Sequence, residues 1–312
     1  MQKNTEKVFV IVNSYRVGDI LLTNPMIQNI KRIWSEAKVV MITSAALVDV
    51  AKYQEGVDDV VVWDRKGKHK GFWKTLKFAL NFPYKNVFAA IPIYTMDRPV
   101  ILAKLLFPKY LLCIRKNMVS KFCQKVKYKI DFHTENMQKS HISLLTGITK
   151  EELQNVPMRY NPPECAGSLI PKEEYIVICP TSSRKSKDMP YSNLVDVVKR
   201  MSNYKFVLVG KGKEADIISE NINKENLGNL IDLTDKTGIK ELADIMAKSK
   251  GVISVDTGTL HLACALNKPT VGLFYDDSPA SFMPEQEVYN CILPILKTTD
   301  DIVESFKQVL KG

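Results

Sequence analysis

Short runs of β-branched and aliphatic residues alternate along the chain with stretches whose apolar positions recur every three or four residues. The apolar runs read "KVFVIVNSY", "KVVMITS", "DVVVWD" and "NVFAAIPIY", then "YIVICPTS", "KFVLVG", "LIDLT", "GVISVD" and "TVGLFY". Each has the length of a buried strand and the intervening segments have helical periodicity, a pattern that predicts βαβ units and parallel sheets. From about 130 to 170 the pattern lapses, and "NVPMRYNPPECAGSLIPKEE" introduces prolines that disfavour both helix and strand. A boundary is expected there, dividing the chain into two Rossmann-like doubly wound α/β domains, 1–165 and 166–312. The last stretch, "TTDDIVESFKQVLKG", opens on Thr and Asp and closes on Lys-Gly, which predicts a C-terminal amphipathic helix.

Open parallel sheets bind ligands outside the carboxyl ends of their strands, so the strand exits are the places to look for chemistry. Two such domains facing one another would line a cleft with those exits. In "SVDTGTLHLACALNKPT", Asp256, Thr257, Gly258 and Thr259 join a buried strand to a helix. Gly258 permits close backbone approach, and the unpaired N–H groups of a first helical turn suit an anion such as a diphosphate. Asp256 or Thr257 is equally suited to be an N-cap, worth about 1 kcal/mol. His261 falls inside the helix, near the same end. In "NSYRVGDILLTNP", Gly18 supplies a tight turn after the first strand, Arg16 and Gly18 flank the exit, and Asp19 heads the helix "ILLTNPMIQNIKRIW". Asp19 reads either as an N-cap or as a general base. A lone Gly18 is not the G-x-G-x-x-G of a dinucleotide site. In "CPTSSRKSKDMPYSNL", Ser182, Ser183, Arg184, Lys185 and Lys187 offer hydroxyls and cations that would neutralise a leaving diphosphate without a metal; the alternative is a solvated basic loop. "LVGKGKEAD", a fourth exit, lacks the G-x-x-x-x-G-K-[ST] of a P-loop.

Composition narrows these readings. With 312 residues, 45% of them hydrophobic, the chain can bury two full cores, and no apolar stretch has the length of a membrane span. The N-terminus lacks the pattern of a secretory signal, so a cytoplasmic protein is expected. Six cysteines without a C-x-x-C pair read as reduced core thiols, and four histidines do not suggest a multi-histidine metal centre. The net charge of +10 is unevenly spread: residues 1–160 carry 26 Lys and Arg against 13 Asp and Glu, whereas the remainder carries 18 against 21. The first half therefore faces an anionic partner. Its densest run, 104–129, has eight basic residues, no acidic ones and interleaved Leu, Phe and Tyr, a mixture suited to an anionic membrane surface; a plain solvated lysine-rich face is the alternative. No helix-turn-helix, zinc-finger or RNP pattern supports nucleic acid as the partner.

With these segments identified, the chain resembles glycosyltransferase family 9, the ADP-heptose:lipopolysaccharide heptosyltransferases. "SVDTGTLHLACALNKPTVGLF" is similar to that family's S-x-D-[ST]-G-x-x-H-L-A-x-A-L-x-K-P-x-V block, and "RVGDILLTNP" to its L-G-D-x-[LV]-x-[ST]-x-P, with Val17 in place of the usual leucine. The resemblance implies a GT-B fold, an acceptor-binding first domain with Arg16 and Gly18 on the acceptor side, and a donor-binding second domain. It makes Asp19 the catalytic base and Lys187 the contact to the donor diphosphate. Ser183, Arg184, Asp256, Thr257, Gly258, Thr259 and His261 would surround the donor, and Glu214 would meet the nucleotide ribose. His261 belongs to the signature without an assignable chemical role. The implied reaction is an inverting, metal-independent transfer of a heptose from ADP-heptose, with no cofactor, onto an anionic lipopolysaccharide core glycolipid. It would take place at the inner face of the cytoplasmic membrane, with the enzyme bound peripherally. A sugar-nucleotide epimerase of the same fold and a non-catalytic sugar-phosphate-binding protein are the alternatives.

Overall fold

The computed structural model describes residues 7–93, 97–113, 136–276 and 280–311. Most of the basic run 104–129 therefore lies outside the described residues. The chain forms two compact units, Met1–Val156 and Pro157–Gly312. The division precedes the proline-rich stretch because that stretch is bonded into the second unit. Tyr160 N–H donates to the Ala265 carbonyl (3.0 Å), and the Cys165 and Ala166 N–H groups donate to the Asp244 carboxylate (2.7 and 2.8 Å).

In the first unit, β1 (Val8–Val12), β2 (Lys38–Thr43), β3 (Asp59–Val62), β4 (Val87–Pro92) and β5 (Tyr110–Leu111) form one sheet in the order β3-β2-β1-β4-β5. All its pairings are parallel. The chain runs from β1 toward one edge and returns for β4 on the other side, so the carboxyl end of β1 lies at a topological switch point. Val8, Val10, Val12, Val40 and Ile42 of the strands pack with Leu102, Ala103 and Leu106 in one apolar core.

The helix expected after β1 is two helices, α1 (Val17–Leu21) and α2 (Asn24–Ile33), and the short α3 (Val48–Lys52) packs on α1. Pro25 has no N–H to continue the ladder, and Thr23 turns its hydroxyl onto the Ile20 carbonyl (2.6 Å), closing the first helix there. The helix Met137–Ser143 packs on α2. Its His141 is fully buried, donating from Nδ1 to the Leu22 carbonyl (3.0 Å) while Nε2 has no partner among the described residues. Burial lowers its pKa to about 4. Between that value and the ordinary 6.5, the unfolded chain binds a proton that the folded chain refuses. Stability is therefore expected to be intact above about pH 6.5 and to fall as the pH drops toward about 4. Urea midpoints measured across this range check it, and His141→Gln should reduce the fall without abolishing it, because the buried His261 is lowered to about the same value.

The second unit contains β6 (Tyr175–Cys179), β7 (Lys205–Leu208), β8 (Leu230–Asp232), β9 (Gly251–Val255), β10 (Thr270–Leu273) and β11 (Cys291–Ile292), ordered β11-β10-β9-β6-β7-β8. These pairings are also parallel. Here the switch point falls between β6 and β9, which end side by side, Cys179 opposite Ser254. The helix Thr299–Val309 covers the sheet through Ile302, Val303, Phe306 and Val309. It starts with a capping box in which Thr298 and Asp301 satisfy each other's backbone N–H groups. Among the described residues, no helix is long and apolar enough to cross a membrane.

Candidate functional site

Because β6 and β9 are neighbours, the two loops that follow them are held together although they lie far apart in the chain. Lys187, in the loop after β6, donates from Nζ to the Asp256 carboxylate, the first residue after β9. The two side chains are only 11% and 9% exposed, so this is a nearly buried ion pair at the sheet's switch point. Lys187 reaches it because the loop is folded back. Asp188 accepts the Ser182 N–H (2.7 Å), Lys187 N–H bonds the Arg184 carbonyl (2.9 Å), and Met189 N–H bonds the Pro180 carbonyl (2.8 Å). Burial raises the Asp188 carboxyl above its usual range, and the charge of Glu214 adds to this.

Thr257 is the N-cap of the helix Gly258–Ala265, and its side chain makes no capping bond. Asp256 therefore does not cap; it stands one residue earlier and is committed to Lys187. Thr259 shares its hydroxyl with Ser254 of β9 (2.8 Å), so it ties the helix start to the strand end. His261 is buried on the same helix, and its Nδ1 has no hydrogen-bond partner among the described residues. Burial is the main cause that lowers its pKa to about 4; the carboxylate of Asp256 opposes the shift and Lys187 reinforces it. The imidazole is thus neutral at pH 7, beside a cation and an anion that neutralise each other.

The other expected donor-side residues sit around this centre. Ser183 and Arg184 are exposed, and the Arg184 guanidinium lies 3.8 Å from Asp276 after β10. Ser186 also donates to Asp276 (3.3 Å). Glu214 is in the first turn of the helix Lys213–Ile222, entered through Gly212 at φ +90°. At the end of β7, a Cβ on Gly210 would come within 2.8 Å of the Ala215 Cβ and 3.0 Å of the Thr181 Oγ1, so only glycine lets this turn close over the β6 exit. Asp188 and Asp276 were not singled out by the motifs. Their signal was position: "SKDMP" and "FYDDSP" both lie at strand exits.

In the first unit, Asp19 is the third residue of α1, which is capped by Arg16 without a side-chain bond, so Asp19 is not an N-cap. Gly18 is inside the helix rather than in a turn ahead of it. The Asn13 side-chain amide, fully buried at the end of β1, donates to the Asp19 carbonyl (2.9 Å) and fixes the helix to the strand. Asp19 is half-buried at the β1 switch point, where a first-turn carboxylate is favoured by the unpaired N–H groups. Tyr15 beside it lies 4.8 Å from the Arg65 guanidinium; burial, with a smaller contribution from Asp19, raises the Tyr15 hydroxyl pKa. Arg16 points to solvent.

Residues 105–308 match the description glycosyltransferase family 9 (heptosyltransferase), and the matched part contains all of the Lys187, Asp256 and His261 cluster. A segment of 118 residues is 27% identical to lipopolysaccharide heptosyltransferase 2 of Salmonella typhimurium, covering 36% of this chain and 34% of that protein. The match thus spans about a third of the relative's length. A family 9 glycosyltransferase from Veillonella parvula superimposes with a TM-score of 0.85 at 17% identity, over 98% of this chain and 97% of that one. The ADP-heptose lipopolysaccharide heptosyltransferase II of E. coli does so with a TM-score of 0.75 at 17% identity, over 98% of each chain. Both have the two-unit α/β architecture of the GT-B class, as this chain does. The chain belongs to glycosyltransferase family 9.

Proposed function

We propose that the protein is an inverting, metal-independent glycosyltransferase that moves a heptose from ADP-heptose to the core of a lipopolysaccharide or lipooligosaccharide. The observation that carries this reading is the Lys187–Asp256 pair at the switch point, directly ahead of the unbonded N-cap of the Gly258–Ala265 helix. An ammonium has three N–H donors and Asp256 takes one, which leaves two for the oxygens of a donor diphosphate. The N–H groups of the first helical turn supply more positive potential, and Arg184 lies on the same loop.

In the proposed reaction the Asp19 carboxylate accepts the proton of an acceptor hydroxyl as that oxygen bonds to the anomeric carbon. The bond from the anomeric carbon to the diphosphate oxygen breaks, and its electron pair leaves with the nucleoside diphosphate. Attack opposite the leaving group inverts the anomeric centre. Lys187 and the helix start hold the charge that develops on the diphosphate, the kind of preorganised stabilisation that dominates many enzymatic rate enhancements. Glu214 is proposed to accept from the ribose hydroxyls and Asp256 from a hydroxyl of the sugar. Ser183, Thr257, Gly258 and Thr259 line the donor, and Arg16 and Gly18 lie on the acceptor side.

A panel of ADP-, UDP-, GDP- and CDP-sugars tests the reading by thermal shift and calorimetry. A ligand that binds only the folded chain at a hundred times its Kd stabilises it by about 2.7 kcal/mol. ADP-heptose is expected to give the largest shift, and ADP release is expected to require an acceptor glycolipid. Conversion of the donor without acceptor would favour an epimerase, and donor binding without ADP release from any pair would favour a binding protein.

A further inference from the structure

Helix α4 (Phe72–Leu80) packs Phe78 and Ala79 against the core but leaves three large apolar side chains outside it. Its inward face is narrow: Thr75 and Ala79, four residues apart, are buried, and α4 packs beside α5 (Asp97–Leu105). The opposite face holds Trp73, Lys77 and Leu80, spaced to share one side of a helix. Trp73 is 77% exposed, Leu80 58% and Phe72 54%. The rings of Phe72 and Trp73 meet edge to face at 5.4 Å and form one projecting aromatic unit. Leaving such groups in water forgoes about 25 cal/mol for each Å² of apolar surface, so a contiguous patch of this kind points to a partner.

The surroundings say which partner. Arg65, Lys66, Lys68, Lys70, Lys74 and Lys77 fall within thirteen residues, and no acidic residue occurs between Asp64 and Asp97. Asp64 itself is turned into the loop, its carboxylate accepting the Gly67 and Lys68 N–H groups (2.9 and 2.8 Å), bonds that hold it below the ordinary carboxylate range. The three lysines of that loop and the two of α4 all face solvent. Exposed indole and phenyl rings, an exposed leucine and long cationic side chains that can keep their charge in water are the chemistry of a bilayer interface. Nucleic acid could use the rings for stacking but would leave the exposed Leu80 beside them in water, whereas a bilayer boundary takes up all three apolar side chains.

We propose that the α4 face is a seat for an anionic phospholipid bilayer, with Phe72, Trp73 and Leu80 entering the boundary between headgroups and acyl chains and the lysines meeting headgroup phosphates. The assignment deepens the proposed function by giving its membrane-facing surface. Its test reads no activity, so it can fail while the glycosyl transfer stands.

The full chain is mixed with phosphatidylcholine vesicles, with or without phosphatidylglycerol, and followed by flotation and tryptophan emission. Of the three tryptophans, Trp63 is 1% exposed and Trp34 is half-buried, so an emission change reports on Trp73. Vesicles containing phosphatidylglycerol should shift the emission to the blue, and brominated acyl chains should quench it. Phe72→Ser/Trp73→Ser should lower the partition coefficient at least about tenfold. Lys74→Glu/Lys77→Glu should lower it by a similar factor and remove the preference for phosphatidylglycerol. All four side chains are exposed, so the thermal midpoint should hold, and the second pair decides the matter if the first misfolds. Wild-type partitioning by both variants would overturn the proposal, as would no binding to either vesicle. Tight binding of a single-stranded oligonucleotide that is lost in the aromatic variant would overturn it too.

Discussion

Asp19→Asn is expected to lower kcat by about 10²- to 10⁴-fold while leaving the donor Kd within about twofold, because a positioned general base contributes that much and asparagine cannot take the acceptor proton. The substitution is nearly isosteric. Asp19 is the third residue of α1, and its backbone carbonyl is held by the Asn13 side-chain amide, a bond that the substitution leaves in place. The decisive measurement pairs single-turnover kinetics with donor titration. A normal rate in the variant would remove Asp19 from the chemistry. Lost donor binding with a normal rate at saturation would move Asp19 to a positioning role.

The second large effect concerns stability. Asp256→Ala leaves the Lys187 ammonium without its partner in a setting where only 11% of the side chain is exposed. Removing one member of a buried pair typically costs about 3–5 kcal/mol, because the remaining charge is uncompensated. Urea unfolding should show a loss of that order. The double variant Lys187→Met/Asp256→Leu should recover most of it, since apolar replacements of a buried pair are often neutral, while donor binding stays lost. A cost below about 1 kcal/mol in the single variant would mean that Lys187 swings freely to solvent. In that case the pair would not be a fixed element of the site.

The strands and their parallel direction were legible from the chain because each buried run is short and β-branched and the segments between them have helical periodicity. The two-residue strands β5 and β11 were not, since so short a segment carries no period. The break between α1 and α2 was readable at Pro25, but the helical spacing of apolar residues across it outweighed that single signal. At the site, Lys187 and Asp256 were each visible as polar residues at strand exits. Their pairing was not, because it depends on β6 and β9 being neighbours, and sheet order is a property of the whole unit. The positive first half was visible as composition. That part of it surrounds two exposed aromatic rings on α4 depends on which helix face packs inward, which residue counts do not contain.

The adjacency of β6 and β9 carries one more implication. The loops that hold Lys187, Asp256 and Glu214 all issue from one sheet, so the proposed grip on a nucleotide is self-contained within a single half of the polypeptide. On that proposal, mutations that reshape the other half would alter the choice of molecule to be glycosylated without disturbing the grip.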